Sequence, residues 1–374
     1  MLSIKDSPMP PPPLVRALEQ VRRGADAMPR HQLEQVMEEE LGSGWRERLA
    51  HFDDAPFAAA SIGQVHRAKL GDAPDGLVAM KVQYPGVADS IDSDLNNLTM
   101  LMNVTGMVPP GLFLEEVVRV GRMELKAECD YVREMDNQRR FKSLVENDED
   151  LVRDRVTVPD VIEDLTTSRV ITSEFVRGGT IDKVVKMEQE ERNRIGRAIL
   201  RLTIRELFEW RFMQTDPNWG NFLYDVGDRS THLIDFGAAR EFDKGFVDGY
   251  LKIVWANAQR DEETLMDESH RMGFLTGEEN DIMLEAHRLS GFTVGEPFAS
   301  NEPYDFRRSN ISARISKHSS AFLQHRLTPP PEEVYTLHRK LAGAYNLCIR
   351  LGAVFPCRDL LEEVMLDYSF DGDA

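Results

Sequence analysis

The feature that most limits what this chain can fold into is the stretch 214–240, QTDPNWGNFLYDVGDRSTHLIDFGAAR, which sets two carboxylates and one amide at fixed intervals. Asp216 is followed five positions later by Asn221 and nineteen positions later by Asp235, the first residue of Asp235-Phe236-Gly237. The apolar run His232-Leu233-Ile234 ends at Asp235, which predicts a carboxylate at a strand exit, where it can hold a hard cation such as Mg²⁺. An acid that orients a nucleophile, an amide that reaches a metal ion and a second acid that holds it are the groups phosphoryl transfer requires. The same residues also read as turns, since Asp216-Pro217-Asn218 is turn chemistry and 225–230 suits a hairpin loop. The rest of the chain has to decide between the two readings.

Composition narrows the choice of partner more than the choice of fold. The 374 residues carry a formal net charge of -19, and nucleic acid is not expected as a partner because no basic stripe is present. With 41% hydrophobic and 29% charged residues, the chain has the make-up of a globular protein with a large core. Cys129, Cys348 and Cys357 show no C-x-x-C spacing, and the nine histidines form no ligand motif, so neither a disulfide framework nor a histidine-ligated metal is expected. No apolar run approaches the length of a membrane-spanning helix. Residues 1–13 are mixed in charge and end in prolines, so no signal or targeting segment is expected in them.

Along the chain, Leu14, Ala17, Leu18 and Val21 recur at helical spacing, and a second helix is expected over 30–41, each packing an apolar face on the domain. Two β-compatible runs, 64–70 and 77–84, flank the turn chemistry of 71–76 and predict a hairpin. Ile91, Leu95, Leu98 and Met102 predict a helix, and a longer helical stretch is expected from about 114 to 144. Strands are expected over 156–163 and 169–176, and a helix from 190 leads to the 214 loop. Beyond Phe242 only helices are expected. The sum is an α+β, two-lobed plan: an N-terminal helical extension over 1–54, a small β-rich lobe with a helical insert over 55–178, and a larger α-helical lobe over 179–374.

Upstream of the acidic loop lies a partial phosphate-binding frame. A kinase phosphate loop reads G-x-G-x-x-G-x-V, and Ala58-Ala59-Ala60-Ser61-Ile62-Gly63-Gln64-Val65 fits it with alanine at the first two glycine positions. The Cβ atoms of Ala58 and Ala60 narrow the backbone's choices where phosphate oxygens approach, so nucleotide is expected in an altered pose. Sixteen residues after Val65, Val78-Ala79-Met80-Lys81 matches the strand whose lysine pairs with nucleotide phosphates. The alanine-rich loop, V-A-M-K, D-x-x-x-x-N and D-F-G in that order favour a kinase-like site over chance turns.

At these residues the chain resembles the UbiB family of atypical kinases, of the mitochondrial coenzyme Q type, over nearly its whole length. PFAAASIGQVH, VAMKVQYPGV, ELKAECDYVRE, FMQTDPNWGNF, LIDFGAAREF, FLTGEE and RLTPPPEEVYTLHRK carry the resemblance. It implies a nucleotide site of Ala58, Ala59, Ala60, Ser61, Gly63, Val65 and Lys81, with Glu134 as the partner of Lys81. It implies Asp216 as catalytic base and Asn221 and Asp235 as ligands of Mg²⁺. Glu128-Cys129-Asp130 matches the family's E-x-D motif, which implies a regulatory place for Glu128 and Asp130. If Asp130 and Glu134 share one helix they share a face, whereas Glu128 lies about 120° from Glu134. The family's K-x-G-Q motif belongs just before a segment like residues 1–6, so either a truncated product or an internal start is expected.

Taken as implied by the resemblance, the function is that of an atypical kinase or ATPase using ATP or ADP with Mg²⁺ in support of ubiquinone biosynthesis. Its implied partners are coenzyme Q biosynthetic enzymes or lipid intermediates with peripheral membrane contact, on the matrix side of the mitochondrial inner membrane. Two alternatives stay open: a nucleotide-binding pseudokinase scaffold without phosphoryl transfer, and a small-molecule kinase. Retention of Lys81, Asp216, Asn221 and Asp235 weighs against the first, and the alanine-rich loop with E-x-D against the second.

Overall fold

The computed structural model describes residues 27–71, 76–105, 112–216 and 218–370. The expected helix around Leu14–Val21, the proline run before it and Pro217 lie outside the described residues. In chain order the first half contains α1 (Arg30–Leu41), β1 (His51–Phe52), β2 (Ala58–Ala59), β3 (Gly63–Lys69), β4 (Leu77–Gln83), α2 (Val87–Thr105), α3 (Leu114–Glu128), α4 (Tyr131–Glu146), α5 (Glu149–Arg153), β5 (Val156–Thr157) and β6 (Val170–Glu174). The second half contains β7 (Gly179–Thr180), α6 (Gln189–Ile204), β8 (Phe212–Gln214), β9 (Phe222–Tyr224), β10 (Thr231–Leu233), β11 (Ala239–Glu241), α7 (Lys244–Gln259), α8 (Glu262–Arg271) and α9 (Asp281–Gly295). It closes with β12 (Tyr304–Asp305), α10 (Phe306–Ser309), α11 (Ile311–Ser316), α12 (Ser319–His325), α13 (Glu332–Leu351), β13 (Val354–Phe355) and α14 (Arg358–Asp367). The architecture is mixed α+β with helices in the majority.

The expected hairpin forms: β3 and β4 pair antiparallel with Val65 opposite Lys81, and β4 pairs on its other edge with β6. Alternating residues of β4 face opposite ways, as a period of two requires. Val78, Met80 and Val82 turn into the core that also buries Leu33, Val36 and Met37 of α1, while Lys81 turns to the other face. Helix α1 is therefore a packing helix, and Arg169 ties it to the sheet through Glu39 and Glu40, at 2.7 Å each.

The helical stretch expected from 114 to 144 forms, as two helices. It breaks at Cys129-Asp130 because Asp130 takes an extended conformation (φ -101°, ψ 94°) and its side chain accepts a hydrogen bond from the Arg133 amide, the chemistry of an N-cap. The strand expected over 156–163 is also divided. Val156–Thr157 pairs parallel with β10 in a second, four-stranded sheet, while Val161 makes an isolated bridge to Ser173 in the first. Pro159, which has no amide hydrogen to give, stands between the two partners. Beyond Phe242 the chain is mostly helical, but β12 and β13 form one short antiparallel pair that the periodicity does not show.

The larger core runs through the second half and is built on α6, whose residues from Ile195 to Ile204 are mostly buried. After Ile204 the helix widens into a π-turn over Arg205–Glu209 and ends at β8, which leads into the acidic loop. Asp225 and Asp228 fold the 225–230 hairpin as expected, accepting from the amides of Gly227 at 2.7 Å and Ser230 at 2.9 Å.

Candidate active site

The site lies where β4, α4, the 214–221 loop and Asp235-Phe236-Gly237 meet. Lys81 Nζ donates to both oxygens of Glu134, at 2.9 and 3.0 Å, and lies 3.6 Å from Asp235 Oδ2. The Tyr131 ring sits 4.9 Å from the ammonium. Burial alone would lower the pKa of Lys81, but the carboxylates of Asp235 and Glu134 hold it well above its ordinary value. The lysine is thus a fixed positive charge with one side left toward the cleft. Burial pushes the Glu134 carboxyl up while Lys81 works against it, so the two stabilise each other's charge.

The break at Cys129-Asp130 changes which acids face the site. Glu128, the last residue of α3, turns toward the cleft, where Ser61 Oγ lies 3.4 Å from its Oε2. Burial, followed by the charge of Asp235 and then of Asp216, raises its pKa to about 7. A single helix would have kept Glu128 and Glu134 on different faces; two helices let both point inward. Asp130 instead holds the start of α4, and is the member of the E-x-D motif whose side chain is committed to capping.

The acidic loop is pinned by a residue that belongs to no motif, Gln214. Gln214 is fully buried at the end of β8; its Oε1 accepts from the Asp216 amide at 2.9 Å and its Nε2 donates to the Asp235 carbonyl at 2.7 Å. One side chain therefore sets the spacing between the two aspartates. Asn221 Nδ2 donates to Asp216 Oδ2 at 2.9 Å, which leaves the Asn221 oxygen as the amide's acceptor. The Gly237 amide donates to Asp235 Oδ1 at 3.2 Å. Helix α4 holds the same turn from above: Asn137 donates to the Phe236 carbonyl at 3.0 Å, and Arg133 to the carbonyls of Gly237 at 3.2 Å and Ala239. Phe236 is completely buried against Phe141 of α4, 5.3 Å between ring centroids. Tyr131, Arg133 and Asn137 have no signal in a single sequence beyond their nearness to Glu134.

The alanine-rich loop is a tight connection in which Ala58 and Ala59 pair with Val65 and Gln64, and the Ala60 amide donates to the Gly63 carbonyl at 2.9 Å. Ala58, Ala59 and Ser61 are exposed; Ala60 and Val65 are half-buried. Gly63 is required for a reason other than room for phosphate: a Cβ there would lie 2.3 Å from the Val82 carbonyl oxygen of β4. Away from the cleft, Asp225, Asp228 and His232 come close enough to share a cation, but His232 already meets Ser230 Oγ at 2.9 Å and Thr157 Oγ1 at 2.6 Å, and the two aspartates close the hairpin.

The model of the ABC1 atypical kinase-like domain matches residues 20–269, two thirds of the chain. The chain belongs to the ABC1 atypical kinase-like family. Among relatives of this ABC1 domain, the mitochondrial atypical kinase coq-8 of Caenorhabditis elegans is 45% identical over all of this chain and 49% of its own length. The mitochondrial atypical kinase COQ8 of Saccharomyces cerevisiae is 42% identical over 97% of this chain and 72% of its own. This chain thus spans about half the length of the worm relative. The solved complex of Rv3197 with erythromycin from Mycobacterium tuberculosis superposes with a TM-score of 0.69 at 25% identity, covering 95% of this chain and 86% of that one. Among the described residues, no helix is long and apolar enough to cross a membrane.

Proposed function

We propose that the chain is an atypical kinase or ATPase that holds Mg-nucleotide between Lys81 and the Asp216–Asp235 loop and supports ubiquinone biosynthesis. The observation that carries this reading is Lys81 held between Glu134 and Asp235, a buried cation kept charged and aimed into a cleft. Such a charge pairs with phosphate oxygens without having to be reordered when nucleotide arrives. Asp235 and the free oxygen of Asn221 are hard donors suited to Mg²⁺, which when bound would neutralise charge on the phosphates. Asp216, fixed by Asn221 and Gln214, is placed to accept the proton of an attacking hydroxyl or water. Ser61 and the backbone of the alanine loop would cover the phosphates, and the missing Cβ of Gly63 lets the end of that loop lie against Val82 of β4.

The relatives named mitochondrial atypical kinases support a mitochondrial role in ubiquinone biosynthesis; we extend that reading to partners among the biosynthetic enzymes or lipid intermediates and to peripheral contact with the matrix face of the inner membrane. A second reading, a nucleotide-dependent scaffold without turnover, is favoured by one feature. Glu128 adds a third acid beside Asp216 and Asp235 and reaches Ser61 of the covering loop, so it fills space an acceptor would need.

The deciding experiment is phosphate release from Mg-ATP by the purified chain, with and without liposomes and a ubiquinone precursor. Asp216→Asn should bind Mg-nucleotide with nearly unchanged affinity and lose turnover by about a hundredfold or more, the usual weight of a positioned base. Absence of turnover in the unaltered chain under every condition, with tight nucleotide binding, would establish the scaffold instead.

A further inference from the structure

The carboxy-terminal half contains polar groups that the nucleotide cleft does not use, gathered between α7, α9, α12 and α13. His338 of α13 keeps accessible surface although helices crowd it, and that crowding lowers its pKa to about 4. A crowded side chain that water still reaches lines a recess between the helices. Its neighbours are rings: Tyr250 of α7 at 6.1 Å and Phe274 at 6.5 Å, and Phe274 lies 6.2 Å from His287 of α9. Burial also lowers His287 to about 4, so both imidazoles are neutral at pH 7. Ala342, one turn beyond His338 and on the same face of α13, is exposed as well.

The space has a charged end. Arg326 follows α12, is half-buried, and has no carboxylate within ion-pairing distance among the described residues. Its guanidinium lies 4.9 Å from the Phe322 ring, and its Nε has no hydrogen-bond partner. Two hydroxyls nearby are buried without partners: Tyr335, three residues before His338, and Ser290, three residues after His287. Residues three apart on a helix share a face, so each of these residues lies on its histidine's side of the helix, and Tyr335 lies within the influence of Arg326. Buried polar groups are nearly always satisfied, and orphans around an unpaired cation are the polar lining of a site. Segment 326–340, which stood out in the sequence as RLTPPPEEVYTLHRK, supplies Arg326, Tyr335 and His338.

We propose that this space binds a small amphiphile with a single carboxylate head and an apolar body, the head on Arg326 and the body against the Tyr250, Phe274 and His338 rings. The planar guanidinium matches a carboxylate with two parallel hydrogen bonds, and the Tyr335 hydroxyl supplies a further donor. Neutral imidazoles and aromatic rings form a wall on which a second charge would lose its hydration.

The test is calorimetric titration of the whole chain with octanoate below its micelle concentration, in saturating Mg-ADP so that the nucleotide cleft is filled. Octanoate should bind one to one and at least tenfold more tightly than 1-octanol or acetate. Arg326→Gln should remove the preference over octanol and Arg326→Lys should keep part of it. Ala342→Phe, at an exposed position, should fill the space and weaken octanoate and octanol alike, which keeps the test open should Arg326→Gln fail to fold. Non-saturable uptake, equal affinity for octanoate and octanol in the unaltered chain, or unchanged octanoate affinity in both Arg326→Gln and Ala342→Phe would overturn the assignment.

Discussion

Two buried lysine–glutamate pairs, one in each half of the molecule, are built from the same groups and behave differently. Lys81 and Glu134 meet at 2.9 Å with 15% and 3% of their side chains exposed, and Asp235 stands 3.6 Å from the same ammonium. Lys340 of α13 and Glu206 of the π-turn meet at 3.1 Å with 5% and 0% exposed. The first pair has two acids for one base and an opening to the cleft. In the second, the Glu206 carboxyl is raised to about 7 by burial despite Lys340, and its oxygens lack aligned hydrogen bonds. The difference teaches how to tell a working pair from a structural one: the working lysine has charge in excess and somewhere to direct it, whereas the structural one spends its charge on its partner.

The largest expected effect separates the two by stability. Lys340→Met leaves Glu206 as an uncompensated buried acid and should lower the unfolding free energy by about 3–5 kcal/mol. The double variant Lys340→Met with Glu206→Leu should recover most of that loss, since apolar replacement of a buried pair is often neutral. Lys81→Met should cost less, because Lys81 keeps 15% of its side chain exposed at the open cleft, where water can take its place beside Glu134 and Asp235. Denaturant unfolding of the three variants checks this; equal losses for Lys81→Met and Lys340→Met would erase the distinction.

The next effect is a pH slope. The Glu206 carboxyl has an ordinary value of 4.5 and a folded value of about 7, so between these limits the folded chain holds a proton that the unfolded chain releases. Stability should therefore fall as pH rises from about 4.5 to about 7 and level off above, by on the order of 3 kcal/mol across the window. Glu128, also raised to about 7, titrates in the same range. The double variant isolates the Glu206 part, because its slope should be shallower by that amount; an identical slope in both proteins would mean that Glu206 does not titrate there.

How much of this was legible in the sequence depends on the same contrast. Lys81, Asp216, Asn221 and Asp235 stand in short motifs whose spacing reflects local geometry, and the structure brings all four to one cleft. Glu134 needed the resemblance, because it lies 53 residues from Lys81 and only the fold makes them neighbours. Gln214 is the first residue of the 214–240 stretch, yet a buried glutamine at a strand end looks like any polar residue before a turn. The helix break at Asp130 was hidden by apolar periodicity that continues through Cys129 and Tyr131, although aspartate is a good N-cap. Lys340 and Glu206 belong to no motif, and a pair separated this far along the chain is visible only after packing.

A third test acts on the working pair. Asp235→Asn removes the second acid beside Lys81 and a charged donor to the metal, and should weaken Mg-nucleotide binding by about a hundredfold, roughly 2.7 kcal/mol. It also removes one of three neighbouring carboxylates, Glu128, Asp216 and Asp235, so stability should hold or rise. Calorimetry beside a melting curve reads both; unchanged Mg-nucleotide affinity would move the nucleotide away from Asp235.

The smallest expected effect concerns what keeps Asp235 within reach of Lys81. Asn137 donates to the Phe236 carbonyl from α4, the helix that also presents Glu134, so one hydrogen bond couples the helix to the turn carrying the second acid. Asn137→Ala removes the donor from a half-buried carbonyl and should lower stability by about 1 kcal/mol, the net worth of one such bond. Arg133 still holds the Gly237 and Ala239 carbonyls, so the turn should shift little and nucleotide affinity should fall only severalfold. In the Asp235→Asn background the same substitution should cost no further nucleotide affinity, because the group it positions is gone, while its cost in stability should persist. A double-mutant cycle read by both calorimetry and denaturant unfolding distinguishes the two. Additive losses of nucleotide affinity would show that Asn137 acts on nucleotide by a route other than Asp235, and the helix would then be a packing element beside the site.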